Sequence, residues 1–326
     1  MSIEIIKPGL LTTLVGSERT GFRNRGIGPG GAMDKFAMRV ANFVVGNRDD
    51  MAVMEIHLPG PEILFQQSHL ISITGNGFES LVNGIPIPLW RPVHVAQNEV
   101  MSFKIKSGGR SYLAVKGGWK AENWLGSLGT HLGVQAGGYF GRALHKGDLL
   151  DPEQISIVNG DGKNFPWGIS KNELDKVYFP SNEIRCLASN ETNLLSVESR
   201  EKFTSHNFTI TPQSNRMGYR LEGLQLHLKE PVELVSSPVD AGTIQLLPDG
   251  NLIILMADHQ TTGGYPRIGS VIKADLPKLA QLGPAEKITF EMISLVEAES
   301  LLIAIENQLE EIKTSCFTQI NKYMAK

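Results

Sequence analysis

The 326-residue chain is 41% hydrophobic and 20% charged, with a net charge of −3. That balance describes an ordinary globular protein and offers no basic field for nucleic acid or anionic lipid, so neither nucleic acid nor a membrane is an expected partner. The length exceeds what one hydrophobic core usually spans, so two domains of roughly 150 residues each are expected.

The N-terminal "MSIEIIKPGLLTT" has an acid at position 4 and no apolar stretch long enough for a signal peptide. No later apolar run approaches a bilayer span, and a cytoplasmic location is the expectation. In "MDKFAMRVANFVVGN" the residues Phe36, Val40, Ala41 and Val44 share one helical face, with Asp34 as N-cap and Gly46 just past the C-terminus. Next, "FESLVNGIPIPL" carries Asn83-Gly84 and "VMSFKIKSGGRSYLAVKGG" carries Gly108-Gly109, both read as tight turns between strands. Within the second stretch Met101, Phe103 and Ile105 alternate with Ser102, Lys104 and Lys106, as in a strand with one buried face.

The loop-like "VNGDGKNFPWGISKNELDKVYFPSN" places a boundary near 180, giving an N-terminal β-barrel domain over 1–180 and a C-terminal one over 181–326. "RTGFRNRG" at 19–26 and "RMGYRLEG" at 216–223 share an Arg, Gly, aromatic, Arg and Gly at equal spacing, which suggests a tandem of related domains. "GTIQLLPDGNLIILMAD" carries Asp249-Gly250 between apolar runs. From Val296 on, Ala298, Leu302, Ile305, Leu309, Ile312, Cys316 and Ile320 trace an amphipathic C-terminal helix that packs on its own domain or docks a further protein chain. The two cysteines, Cys186 and Cys316, lie outside metal-ligand spacing, so they are expected to be buried, inert thiols and no metal site is expected.

Neither a zinc-protease H-E-x-x-H nor a phosphate-binding P-loop is present; "GDGKN" lacks the Ser/Thr and the upstream Gly. "LGSLG" around Ser127 lacks the first glycine of a nucleophile elbow. The informative clusters pair glycines with arginines: "GPGGAMD", "GGYFGRALHKGD", "NRMGYR" and "DHQTTGGYP". Bare glycine amides can approach a carboxylate, phosphate or amide, while Arg142 or Arg216 can grip a planar oxyanion with two parallel hydrogen bonds. The alternative is that the glycines are turns and the arginines form structural ion pairs.

The apolar run Leu252 to Ala257 ends at Asp258, which is either an acid–base residue or a cap on its loop. His259 reads as a loop-bracing histidine. Gln260, Thr261, Thr262, Gly263, Gly264 and Tyr265 form a cradle suited to a small molecule.

Taken together, "GIGPGGAMDKFAMRVANFVVGN", "MEIHLPGPEILF", "YLAVKGG", "GGYFGRALHKGD", "SNRMGYRLEG" and the block from "AGTIQLLPDG" through "DHQTTGGYP" resemble the family of 5-oxoprolinase C subunits. That family is also called allophanate hydrolase subunit 2 or Kip inhibitor antagonist, and the resemblance runs from about Thr12 to Glu297. It implies a mainly β protein of two tandem cyclophilin-like β-barrels, similar to half of the carboxyltransferase module of urea carboxylase. The implied activity is the opening of 5-oxo-L-proline to L-glutamate at the expense of ATP, with the A and the Kip inhibitor-like B subunits of 5-oxoprolinase as partners. Carried onto this sequence, the resemblance implies that Arg142, Arg216 and the loop from Asp258 to Tyr265 line a cleft shared with the B subunit; their roles are assigned by chemistry, with Asp258 and Arg216 as catalytic candidates and Arg142, Gln245, Gln260, Thr261, Thr262, Gly263, Gly264, Tyr265 and Asp34 as substrate-binding ones.

The sequence departs from the family's usual pattern in three places. "VGSER" at 15–19 keeps only the arginine of the usual "VQDLGR", Asn215 replaces an Asp before "RMG", and Ala188-Ser189 stands for a Gly-Pro. Two alternatives therefore accompany the amide-opening reading: carboxyl transfer from a biotinylated partner to a urea-like amide, and a non-catalytic module that binds a Kip-type kinase inhibitor.

Overall fold

The structure is a computed structural model and describes residues 2–154, 165–179 and 181–324. The "VNGDGKN" part of the expected inter-domain loop, including "GDGKN", and position 180 itself lie outside the described residues. The protein is mainly β, with five α-helices among the described residues, the longest at the C-terminus. None of those helices is long and apolar enough to cross a membrane. Contacts divide the chain into two units built from interleaved segments. Met1–Glu18, Asp34–Leu174 and Asn307–Lys326 form the first; Arg19–Met33 and Asp175–Glu306 form the second.

The first unit holds two antiparallel sheets. In the six-stranded one Leu149–Leu150, Ile3–Lys7, Glu62–Phe65, Glu99–Ile105, Phe78–Val82 and Ile85–Pro86 lie in that order. The five-stranded one runs Leu11–Val15, Val53–His57, Ser111–Val115, His69–Gly75, Pro92–Val95. Ile3, Ile5, Ile63, Phe65, Ile71, Ile73, Phe78 and Leu113 fill the core. The Asn83-Gly84 turn is a tight hairpin with both residues at positive φ, 50° and 79°. Gly108-Gly109 behaves differently from the sequence expectation: the strands on its two sides belong to different sheets, so it is a crossing between sheets and not a hairpin. Alternation along Glu99–Ile105 holds at Met101 and Phe103, which meet the core, and fails at Ile105, which is exposed.

The helix Lys35–Val44 buries Phe36, Val40, Ala41, Phe43 and Val44, each large side chain contributing about 1.5–3 kcal/mol by leaving water. Asp34 caps it, accepting from the Ala37 N–H at 2.8 Å. Thr74 Oγ1 donates to the Ala37 carbonyl at 2.7 Å, which ties the helix to the strand His69–Gly75. At the far end Asn47 donates to the Val115 carbonyl and accepts from the Gly117 N–H, both at 2.8 Å.

The second unit is a closed barrel of seven strands in the order Glu183–Leu187, Arg267–Val271, Thr243–Leu246, Leu252–Leu255, Gly218–Glu222, Phe208–Ile210, Lys287–Met292. Every pair is antiparallel except the closing one between Glu183–Leu187 and Lys287–Met292. Closure removes the free strand edges that would otherwise template aggregation. Ile184, Phe203, Phe208, Tyr219, Ile244, Ile254, Ile268 and Phe290 fill the barrel, with Phe203 stacked on Phe290 at 4.7 Å.

The C-terminal helix Leu295–Met324 opens with a capping box: Ser294 Oγ accepts from the Glu297 N–H and Glu297 Oε2 accepts from the Ser294 N–H. Its residues to Glu306 count with the second unit and those from Asn307 with the first. Leu309, Ile312, Cys316 and Ile320 are buried, as their spacing predicts. Both cysteines are free and buried, and burial pushes each thiol up to about 12, which makes them inert near neutral pH.

Candidate functional site

The strand Leu252–Leu255 is flanked by Thr243–Leu246 and Gly218–Glu222. The register that sets Gly218 opposite Leu255 continues past both strand ends. The Met256 N–H donates to the Met217 carbonyl at 3.0 Å and the Asp258 N–H to the Arg216 carbonyl at 2.8 Å. Asp258 and Arg216 are thereby neighbours through backbone pairing alone. Their side chains complete a bidentate ion pair: Arg216 Nε donates to Asp258 Oδ2 at 2.7 Å and Nη2 to Oδ1 at 2.9 Å. Nη2 also donates to the Gly31 carbonyl at 2.7 Å. The fork that the sequence reading reserved for a ligand therefore holds Asp258, whose side chain keeps 31% of its surface exposed beside an Arg216 that keeps 8%.

Sequence reasoning passed over the third member of this corner, Arg19. The segment Arg19–Met33 belongs to the second unit, and the Arg19 N–H donates to the Pro29 carbonyl at 2.8 Å, closing that segment into a loop. Arg19 is 2% exposed. Burial lowers the pKa of its guanidinium, Asp258 opposes that shift, and Arg216 adds to it.

Gly30, at φ +61°, leaves room for this guanidinium: a Cβ there would stand 2.6 Å from Arg19 Nη1 and 3.7 Å from Asp258 Oδ1. One signal did point here. Arg19 and Arg216 each head the repeated Arg-x-Gly-aromatic-Arg pattern. The two copies fold differently, one into the short 3-10 turn Arg23–Arg25 and the other into the strand Gly218–Glu222, yet both leading arginines act on Asp258.

Beyond Asp258 the loop splits into a braced part and an open part. His259 is buried and its Nδ1 donates to the Gln260 carbonyl at 2.5 Å, the bracing role its sequence position suggests. Gln260 and Thr262 are exposed. Thr262–Gly263 pairs with Ser237–Pro238 as a short two-stranded ribbon, and the Thr261 carbonyl accepts from the Val239 N–H at 3.2 Å. Arg23 donates to the Val239 carbonyl.

Gly264 and Tyr265 line a cavity of about 680 Å³ with Leu226, Val232, Leu234 and Leu246, a volume in the usual range for small-molecule sites. Gln245, in the strand Thr243–Leu246, is 1% exposed and lies against Gly263; its Nε2 has no hydrogen-bond partner. An unmade buried bond of this kind costs about 1–3 kcal/mol.

Arg142 and Asp34 belong to the first unit. Arg142 is a bidentate partner of Asp148 at 2.7 and 2.8 Å and lies over the Tyr139 ring. The Asp34 carboxylate is buried in its capping bond to the helix Lys35–Val44.

The sequence matches the family described as "Carboxyltransferase domain, subdomain A and B" over residues 25–292. It is 36% identical over 312 residues to the 5-oxoprolinase C subunit of Haemophilus influenzae, covering 95% of this chain and 97% of that protein. The C subunit of Escherichia coli 5-oxoprolinase is also 36% identical, over 91% of this chain and 93% of its own length. A crystal structure of the Kluyveromyces lactis urea carboxylase superposes at TM-score 0.87 with 27% identity, covering 95% of this chain and 29% of that one.

Proposed function

The chain belongs to the carboxyltransferase-domain family, and from that premise we propose that it is the C subunit of an ATP-dependent 5-oxoprolinase, acting with the A and B subunits to open 5-oxo-L-proline to L-glutamate. The observation that carries this reading is the Arg19–Arg216–Asp258 corner. Two guanidiniums bear on one carboxylate inside a glycine-walled loop, a setting suited to a substrate that has a carboxylate beside an amide. 5-Oxoproline has both groups, whereas urea has no carboxylate. The near full-length coverage of the two 5-oxoprolinase relatives supports the same choice.

In this reading Arg19 attracts the substrate carboxylate. Asp258, held in place by Arg216, accepts the lactam N–H. A lactam carbonyl is a poor electrophile, and phosphorylation of its oxygen by ATP makes its carbon open to water. ADP leaves in that transfer; one water adds to the activated carbon, the ring C–N bond breaks as the nitrogen takes a proton, and a second water hydrolyses the resulting γ-glutamyl phosphate to L-glutamate and phosphate. ATP is a substrate of the assembled complex, and no residue of this chain is assigned to it. Arg142 and Asp34 carry no substrate role.

The test is phosphate release by the chain co-purified with its A and B subunits. Stimulation by 5-oxo-L-proline is expected, and its absence would reject the reading. Carboxyl transfer from carboxybiotin is the second reading, favoured by the urea carboxylase superposition. It requires a biotinylated partner, so an avidin blot of the purified complex with no biotin protein would eliminate it.

A further inference from the structure

Lys278 stands in the five-residue helix Leu276–Ala280 of the second unit and is 4% exposed, an uncommon place for an ammonium group. Its Nζ donates to the Glu183 carbonyl at 2.9 Å. The carboxylate nearest to hand, Asp275, is taken by Arg185, which donates to it from Nε at 3.1 Å, from Nη2 at 2.5 Å and from its backbone N–H at 2.8 Å. What closes over the ammonium is an aromatic ring. Phe179, shortly ahead of the strand Glu183–Leu187, has its ring centroid 3.5 Å from Lys278 Nζ and 5.0 Å from Arg185 Cζ. The Phe179 carbonyl accepts from the Ser181 N–H at 2.8 Å, a local bond that does not tie it to the barrel.

Removal from water is the largest influence on Lys278 and pushes its pKa from 10.5 down to about 8; Asp275 and Glu183 pull it up, and Arg185 pushes it further down. Glu291 and Glu183 act in turn on Arg185, and the buried Cys186 thiol, pushed up to about 12, stays neutral beside them. The ring face returns part of the lost hydration, because a cation is attracted to the electron-rich face of an aromatic ring. Covering the site still works against the charge.

We propose that Phe179 is a lid on Lys278 whose closing is opposed by the lysine's charge, so that loss of one proton from Lys278 fastens Phe179 to the barrel and its return loosens it. The direction follows from proton linkage. A covered Lys278 gives up its proton near 8 and a solvated one near 10.5, so between those values the open form binds more protons and rising pH drives the lid shut. Below 8 both forms are cationic, and pH loses its leverage. No substrate takes part, so the device stands apart from the amide-opening reading.

The test is an NMR titration of the full-length chain between about pH 7 and 11, with Lys278 followed through its Cε resonance and the lid through 4-fluorophenylalanine placed at Phe179. The Cε resonance is assigned by its loss in Lys278→Met or, should that variant not fold, Lys278→Arg. Lys278 should titrate near 8, and at least about one pH unit higher in Phe179→Ala, where water reaches the ammonium; should Phe179→Ala not fold, the fluorine titration decides alone. The fluorine signal should report a closed-to-open ratio at least about tenfold greater at pH 10.5 than at pH 8. It should stay fixed over that range in either Lys278 variant, since neither methionine nor arginine changes charge there. A Lys278 that titrates near 10.5, a midpoint unmoved by Phe179→Ala, a fluorine signal that ignores pH, or one that follows pH equally without Lys278 each overturns the proposal.

Discussion

Arg142 in the first unit and Arg216 in the second, the two arginines that the sequence singled out, each grip an aspartate through two parallel hydrogen bonds, and these two pairs are not equivalent. Arg142–Asp148 has N–O distances of 2.7 and 2.8 Å; Arg216–Asp258 has 2.7 and 2.9 Å. What differs is the setting. Arg142 keeps 34% of its side chain in solvent and covers a largely buried aspartate, while Arg216 is 8% exposed and its aspartate is the open partner. Asp148 also accepts from the His145 N–H of its own loop, so the first pair closes on itself. Asp258 instead faces a second guanidinium, that of Arg19. The same bidentate geometry therefore braces a loop in one unit and leaves a carboxylate presented among positive charges in the other.

Substitutions can break this contrast, and the largest effect is expected at Asp258. Asp258→Asn leaves Arg216 and Arg19 without their shared anion. It should cost about 3 kcal/mol in thermal stability and lower turnover of the assembled enzyme by at least about 100-fold; unchanged turnover would remove Asp258 from the mechanism. Arg216→Lys keeps the charge and loses the fork, together with the bond to the Gly31 carbonyl. A loss of about 1–2 kcal/mol in denaturant unfolding is expected, and a silent substitution would mean that the pair does not fix this corner.

Gly30→Ala acts on Arg19 without touching a charge. It forces a Cβ onto a positive φ and against Arg19 Nη1, so it should cost about 1 kcal/mol and raise KM more than it lowers kcat.

The smallest effect belongs to the first unit. Burial alone would raise the Asp148 carboxyl, but Arg142 and the His145 N–H hold it below the ordinary value of 3.8. The pair's contribution is thus complete above that value and is lost as pH falls through the lower folded one. Asp148→Asn should flatten this acid limb, with a cost below about 1 kcal/mol at neutral pH and no change in turnover. A large loss of turnover would make the two pairs alike after all.

Much of the fold was legible because it is written locally. The Asp34 cap, the Asn83-Gly84 turn and the spacing of Leu309, Ile312, Cys316 and Ile320 depend on neighbours within a few residues, and each stands where the sequence placed it. Gly108-Gly109 did not behave as read, since a glycine pair marks a bend and says nothing of which sheet the next strand joins. At the site, the loop Asp258–Tyr265 was identified by its dense polar residues after an apolar strand. Its division into a charged corner, a ribbon and a cavity wall was not, because that division depends on Arg19, Ser237 and Leu226, which are distant in sequence.

The sequence by itself determined the strand-rich class, the amphipathic C-terminal helix, the family and the polar loop, for these rest on periodicity, turn chemistry and motifs that a linear chain carries. Only the tertiary structure decided that Arg19–Met33 joins the second unit, that Arg19 and Arg216 converge on one carboxylate, and that Gln245 lies buried with its donors unmet. The physical reason is common to all three: burial and charge proximity are properties of space, and they exist only once segments far apart along the chain have closed around the same point.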